Sequence, residues 1–105
     1  MKNSGAAAAI ASPRKIQTEQ MDFARKINRK IADFVHYVET CALAAGMRET
    51  PGAYVLFEEA GLNAFAAGSG AGKSVVAITE GALLEFDREE LEGVVGHEIA
   101  HITQG

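Results

Sequence analysis

His97, Glu98 and His101 are the residues of this 105-residue sequence whose types and spacing could do chemistry. They lie in the run His97-Glu98-Ile99-Ala100-His101. On a helix, histidines four residues apart stand one turn above each other on the same face. Two imidazoles so placed can bind one Zn2+ ion through ring nitrogens at about 2.0–2.1 Å. Glu98 then projects beside the metal rather than onto it. There it can take a proton from a water whose pKa the metal lowers towards ~7, and pass it to a leaving amine. The pattern points to metal-assisted hydrolysis of a peptide bond. The competing reading is a pair of ordinary surface histidines. Apolar Val94, Val95, Ile99 and Ile102 embed the run, which argues against an exposed polar helix.

The surrounding residues must build that helix and a surface to hold it. Asp87, followed three residues later by Glu90, is a capping-box variant, and an acidic first turn (Glu89, Glu90, Glu92) suits the positive end of a helix dipole. With Leu91, Val94, Val95, Glu98 and Ile102 at helical spacing, a helix is predicted from about Arg88 to Ile102. A short helix is predicted over Ala82 to Phe86. Ser74 to Thr79 reads as a strong buried strand, Ala53 to Phe57 as β-prone and Asn63 to Ala67 as a weaker strand. Gly68 to Gly72 reads as a flexible loop between Asn63–Ala67 and Ser74–Thr79, so those two strands are expected to pair as a hairpin. Further upstream, Ser12-Pro13 reads as a helix start, and Ile16, Phe23, Ile27, Ile31, Phe34, Val38 and Ala42 form one apolar stripe. That predicts a long helix from Pro13 to Ala45, closed by Gly46. His36 falls inside it as a surface or packing residue. Residues 1–12 are small, polar or alanine, and are expected to be disordered. The fold class expected is α+β.

Composition bounds the rest. Apolar residues make up 48% of the chain, but many are alanine, so the core is small for a single domain or a piece of one. Cys41 is the sole cysteine, which excludes an internal disulfide. The net charge of -4 is unevenly spread, with a basic first thirty residues and an acidic remainder. The basic start reads as a solvated helix face rather than a nucleic-acid contact. No stretch approaches the ~20 apolar residues of a membrane span, so the chain as given is expected to be soluble. Ala67 to Ser74 matches a relaxed phosphate-loop pattern. Lys73-Ser74 leads into a β-prone run, though, where nucleotide binding requires a helix.

Three runs in order and spacing carry a family likeness. They are Asn63-Ala64-Phe65-Ala66-Ala67-Gly68, then Val75-Val76-Ala77-Ile78-Thr79-Glu80-Gly81-Ala82-Leu83-Leu84, then the segment Asp87 to His101. Together they resemble the HtpX-type zinc endopeptidases, relatives of the prenyl-protein (CaaX) proteases. The resemblance implies a zincin-like upper subdomain with a long N-terminal helix, a small sheet with a hairpin and a C-terminal active-site helix. It implies that His97 and His101 ligate zinc and that Glu98 is catalytic base and acid. It also implies that the strand carrying Asn63, Ala64 and Phe65 lines the cleft and pairs with an extended protein or peptide substrate. A role in membrane protein quality control follows from the same likeness. So does a parent protein in the inner or cell membrane, attached through segments outside this chain, with its catalytic part on the cytoplasmic side.

Two departures stand out. Gly96 replaces the alanine commonest before the first histidine. The family's third ligand is a glutamate on a later helix, and none of Glu58, Glu59, Glu80 and Glu85 matches it. Residues 13–105 are therefore expected to be the N-terminal part of a zinc metallopeptidase catalytic domain, inactive alone and holding zinc weakly or not at all. The alternative is a non-catalytic interaction domain that retains the fold.

Overall fold

Residues 17–68 and 73–104 are described by a computed structural model, in which three helices cover one face of a three-stranded sheet. The first helix, α1 (Thr18–Ala44), opens on Gln17, whose backbone is extended and whose amide donates to Gln20 Oε1 at 2.9 Å. Within the described residues the helix therefore begins at Thr18, with Gln17 extended rather than helical as the predicted span Pro13 to Ala45 had it. The predicted start at Ser12-Pro13, the stripe residue Ile16 and the expected disorder of residues 1–12 lie outside the described residues. At the other end the expected glycine closure is present. Gly46 has φ +77, Gly46 N–H donates to Leu43 O and Met47 N–H to Ala42 O, both at 3.0 Å. These paired bonds satisfy carbonyls that the ending helix would otherwise leave open.

The apolar stripe of α1 is buried along part of its length. Phe34, Val38 and Ala42 are fully buried, and Ile27 and Ile31 pack against them. Phe23 is 49% exposed, because residues 17–26 run past the sheet and no described element covers them.

The strands are β1 (Gly52–Leu56), β2 (Ala64–Gly68) and β3 (Ser74–Thr79), in the order β1-β3-β2. β3 is central, parallel to β1 and antiparallel to β2, which explains why it is the most continuously apolar run. The predicted hairpin is present, with Gly68 opposite Ser74. Ser74 thus enters a strand, so the phosphate-loop pattern lacks the helix N-terminus it would need. β1 ends at Leu56, and Glu58 then turns the chain with φ +67. Alternation divides the sheet cleanly. Ala53, Val55, Ala64, Ala66, Val76 and Ile78 face the helices, while Tyr54 and Phe65 flank Ala77 on the outer face.

Two helices follow, α2 (Glu80–Glu85) and α3 (Arg88–Gln104). α2 starts two residues before the predicted Ala82, because Thr79 caps it by accepting from Ala82 N–H at 3.2 Å. A side chain on Gly81 would collide with the Ala60 carbonyl oxygen, so this close approach of backbones admits glycine alone. The core joins Phe34 and Val38 of α1, Val76 and Ile78 of β3, Leu83 of α2, and Leu91, Val95 and Ile99 of α3, each at most 2% exposed. Burying each large side chain among them contributes roughly 1.5–3 kcal/mol. The α2–α3 connection is tied to α1 by Lys30 Nζ donating to Phe86 O and by Arg88 Nε beside Asp33 at 3.5 Å.

Candidate metal centre

The rotational setting of α3 decides where its chemistry points. Asp87 Oδ1 accepts from Glu90 N–H at 2.8 Å and Glu90 Oε1 accepts from Asp87 N–H at 2.9 Å, the reciprocal box expected from the sequence. Leu91, Val95 and Ile99, four residues apart, then bury one stripe. With about 100° per residue, His97 and His101 fall nearly opposite that stripe, while Glu98 sits at its edge. The exposures follow this geometry. Both histidines are exposed, and the Glu98 side chain is 12% exposed against 61% for His101. The rings do share one side of the helix, with centroids 4.2 Å apart. Of the two, His97 lines a cleft whereas His101 faces solvent, so the apolar residues around the motif do not shelter the rings themselves.

Among the described residues, His97, Glu98 and His101 form a group of three potential ligands whose nitrogen and oxygen atoms lie within 4.8 Å of one another. Two imidazoles at that separation come into reach of a common ion by small side-chain rotations. The donor set therefore fits a single divalent metal. Glu98 Oε1 lies 3.7 Å from His101 Nδ1, so the carboxylate stands beside the would-be ligands. Its helix-edge setting, shielded on the core side, keeps it next to the histidines without aiming it at the solvent. Glu80 is engaged elsewhere: its Oε1 accepts from Glu58 N–H at 2.7 Å, and it lines a separate cavity with Glu58, Glu59 and Glu85.

A cavity of about 520 Å³ opens beside His97 and Glu98, between α3 and the start of β2. Asn63 and Ala64 line it; Phe65 points to the opposite face of the sheet and is 42% exposed. Because β2 is an edge strand in the order β1-β3-β2, its outer backbone is left for a further extended segment to pair with.

One residue that sequence reading did not single out holds this arrangement in place. The Thr79 hydroxyl donates to Gly61 O at 2.5 Å and accepts from Asn63 N–H at 3.1 Å and from Ala82 N–H. Thr79 N–H donates to Asn63 O at 2.9 Å. A buried threonine thus ends β3, starts α2 and fixes the entry to β2 at Asn63. Its legible signal was the helix-capping preference of threonine ahead of Glu80-Gly81-Ala82; the bond to Asn63 had none.

The chain matches the sequence profile of peptidase family M48 over residues 28–105. It is similar to a protease HtpX homolog of Streptococcus uberis (strain ATCC BAA-854 / 0140J), 47% identical over 83 residues. A second protease HtpX homolog, of Streptococcus pyogenes serotype M3 (strain SSI-1), is 46% identical over 83 residues. These alignments cover 78% of this chain and 27% of each relative, so the chain spans about a quarter of the length of the proteins it matches. With three-quarters of its residues inside the profile and the histidine pair set on α3 as described, the chain belongs to peptidase family M48.

Proposed function

We propose that this chain supplies the metal-binding helix and the substrate-facing strand of a zinc-dependent endopeptidase. The observation that carries the reading is the His97–Glu98–His101 group on one side of α3, next to the free edge of β2. When bound, zinc supplies a Lewis acid that polarises the scissile carbonyl and acidifies an adjacent water. His97 and His101 would hold it. Glu98, its carboxylate beside both rings, would take a proton from water and pass it to the departing amine. Asn63 and Ala64 receive the substrate backbone along β2, while Phe65, on the outer face of the sheet, stands away from the cleft. A catalytic zinc site uses three protein ligands, and two histidines are in hand if Glu98 keeps its role as base. The third ligand is proposed to come from residues beyond this chain. The HtpX resemblance extends the proposal to membrane protein quality control on the cytoplasmic side of a membrane; none of the described helices is long and apolar enough to cross one.

Two measurements test this. In a protein that joins this chain to the remaining length of its relatives, Glu98→Gln is expected to abolish peptide hydrolysis while zinc stays bound. Near-normal turnover in that variant would remove Glu98 as the base. The 105-residue chain alone is expected to hold zinc weakly and to lack peptidase activity. Stoichiometric, tightly held zinc after dialysis would instead show that a third ligand exists within residues 1–105 and overturn the assignment of that ligand to residues outside them.

A further inference from the structure

The connection from β1 to β2 crosses the end of β3, since β3 lies between the two strands it joins. Its far end, Leu62 to Ala64, walls the cleft beside His97 and Glu98. Where that wall stands depends on what holds residues 57–63. Packing does little of this. A cavity of about 380 Å³ separates the connection from α2, with Glu58, Glu59 and Leu62 on one side and Glu80, Leu84 and Glu85 on the other.

Hydrogen bonds from the junction of β3 and α2 do the holding. Gly81 N–H donates to Glu59 O at 2.9 Å, Thr79 Oγ1 donates to Gly61 O, and Thr79 N–H donates to Asn63 O. Among the described residues two side chains on this junction take part. Thr79 acts at the end that enters β2, and Glu80 at the end that leaves β1. Glu80 Oε1 accepts from Glu58 N–H at 2.7 Å, at the turn where Glu58 has φ +67. A hydrogen bond to an ionised acceptor is roughly twice as strong as a neutral one, and this one secures a backbone conformation that glutamate rarely adopts. Glu58, Glu59 and Glu85 place three more carboxylates around the same cavity, and their repulsion of Glu80 pushes the connection off α2. The Glu80 bond opposes that push.

We propose that Glu80 is a positioning residue for substrate binding: by holding Glu58 it fixes the connection over β3, and so sets where Asn63 and Ala64 stand along the cleft. The proposal rests on the endopeptidase reading and adds to it a residue that touches neither metal nor substrate. Without this bond the connection is pinned only through Thr79 and Gly81, and has the cavity to move into. An extended substrate then loses bonds to the start of β2, while His97, Glu98 and His101, on a separate helix, keep their arrangement. The loss falls on KM rather than on kcat.

The test compares Glu80→Ala with Glu80→Gln. In the metal-free 105-residue chain, Glu80→Ala is expected to speed amide exchange about tenfold at Glu58 and Asn63, leaving α3 unchanged. In the zinc-loaded longer protein, the same variant is expected to raise KM for fluorescein-labelled casein about fivefold and to change kcat by less than about twofold. Glu80→Gln keeps an oxygen that can accept from Glu58 N–H, so it is expected to bring both readouts back to within about twofold of the wild type. Glu85→Ala removes a carboxylate from the same cavity without touching the bond, and is expected to match the wild type. A wild-type KM in Glu80→Ala, a fall in kcat at unchanged KM, a glutamine variant as impaired as the alanine one, or exchange that quickens equally in α3 would each overturn the assignment. The exchange measurement needs neither zinc nor turnover, so it judges the anchor by itself. Absence of hydrolysis by the wild-type longer protein would instead sink the endopeptidase reading.

Discussion

The two sides of α3 are built by opposite rules. The side bearing Leu91, Val95 and Ile99 is sealed against α1 and the sheet, and its residues are interchangeable with other apolar groups of similar volume. The side bearing Gly93, His97 and His101 is open, and there volume is withheld rather than filled. Glu98 lies on the boundary, its side chain 12% exposed. The difference teaches that a site of this kind draws its geometry from residues that never touch the ligand. The sealed side fixes the helix in rotation and height, and the open side inherits the positions that result.

The sharpest way to break this comparison is to alter the boundary residue. Glu98→Gln in the metal-loaded longer protein is expected to lower turnover by about 10²–10⁴-fold, the usual worth of a positioned acid–base group. Thermal unfolding of the same variant should match the wild type. A large drop in melting temperature would mean that Glu98 belongs to the sealed side instead.

Next in size is a swap across the helix. Ile99→Ala is expected to cost about 2–5 kcal/mol in chemical denaturation, because it empties a fully buried position at the α1–α3 contact. His101→Ala, two residues away, should change stability by less than about 0.5 kcal/mol, as an exposed position does. Similar losses at both positions would erase the distinction between the sides.

Thr79→Val probes how the site is tied to the sheet. The variant keeps the shape but leaves Asn63 N–H and Ala82 N–H without their shared acceptor, at a cost of about 1–3 kcal/mol. Amide exchange should quicken first at Asn63 and the start of β2. Uniform quickening along the chain would argue that Thr79 stabilises the fold without positioning the strand.

The smallest effect concerns Cys41, on the α1 surface where Gly96 of α3 passes close by. Burial raises its thiol pKa above the ordinary value, and the Glu92 carboxylate adds to the rise. The thiolate fraction at a given pH is therefore lowered. Alkylation by iodoacetamide should show its pH midpoint displaced upwards from that of the urea-unfolded chain. Coincident midpoints would show that the α1–α3 seam admits water freely.

Much of this protein is fixed by short-range physics. The capping box at Asp87, the closure at Gly46 and the placing of His97, Glu98 and His101 on one turn depend on residues three to five apart. Helical periodicity and local hydrogen bonds settle such features without reference to the rest of the chain. The pairing of the strands around Gly68 and Ser74 was legible for the same reason, since a short glycine loop leaves little alternative. Tertiary structure alone decided that β3 lies between β1 and β2, that Thr79 bonds to Asn63, and that Phe65 turns away from the cleft while Ala64 turns towards it. It also decided that Phe23 stays uncovered on a stripe that continues into the core. These outcomes require distant segments to meet, and which segments meet depends on the summed burial of all the elements against the entropy of closing the loops between them. A residue's neighbours in sequence carry no record of that sum, so spacing could place the two histidines on one helix face but not the cavity beside them.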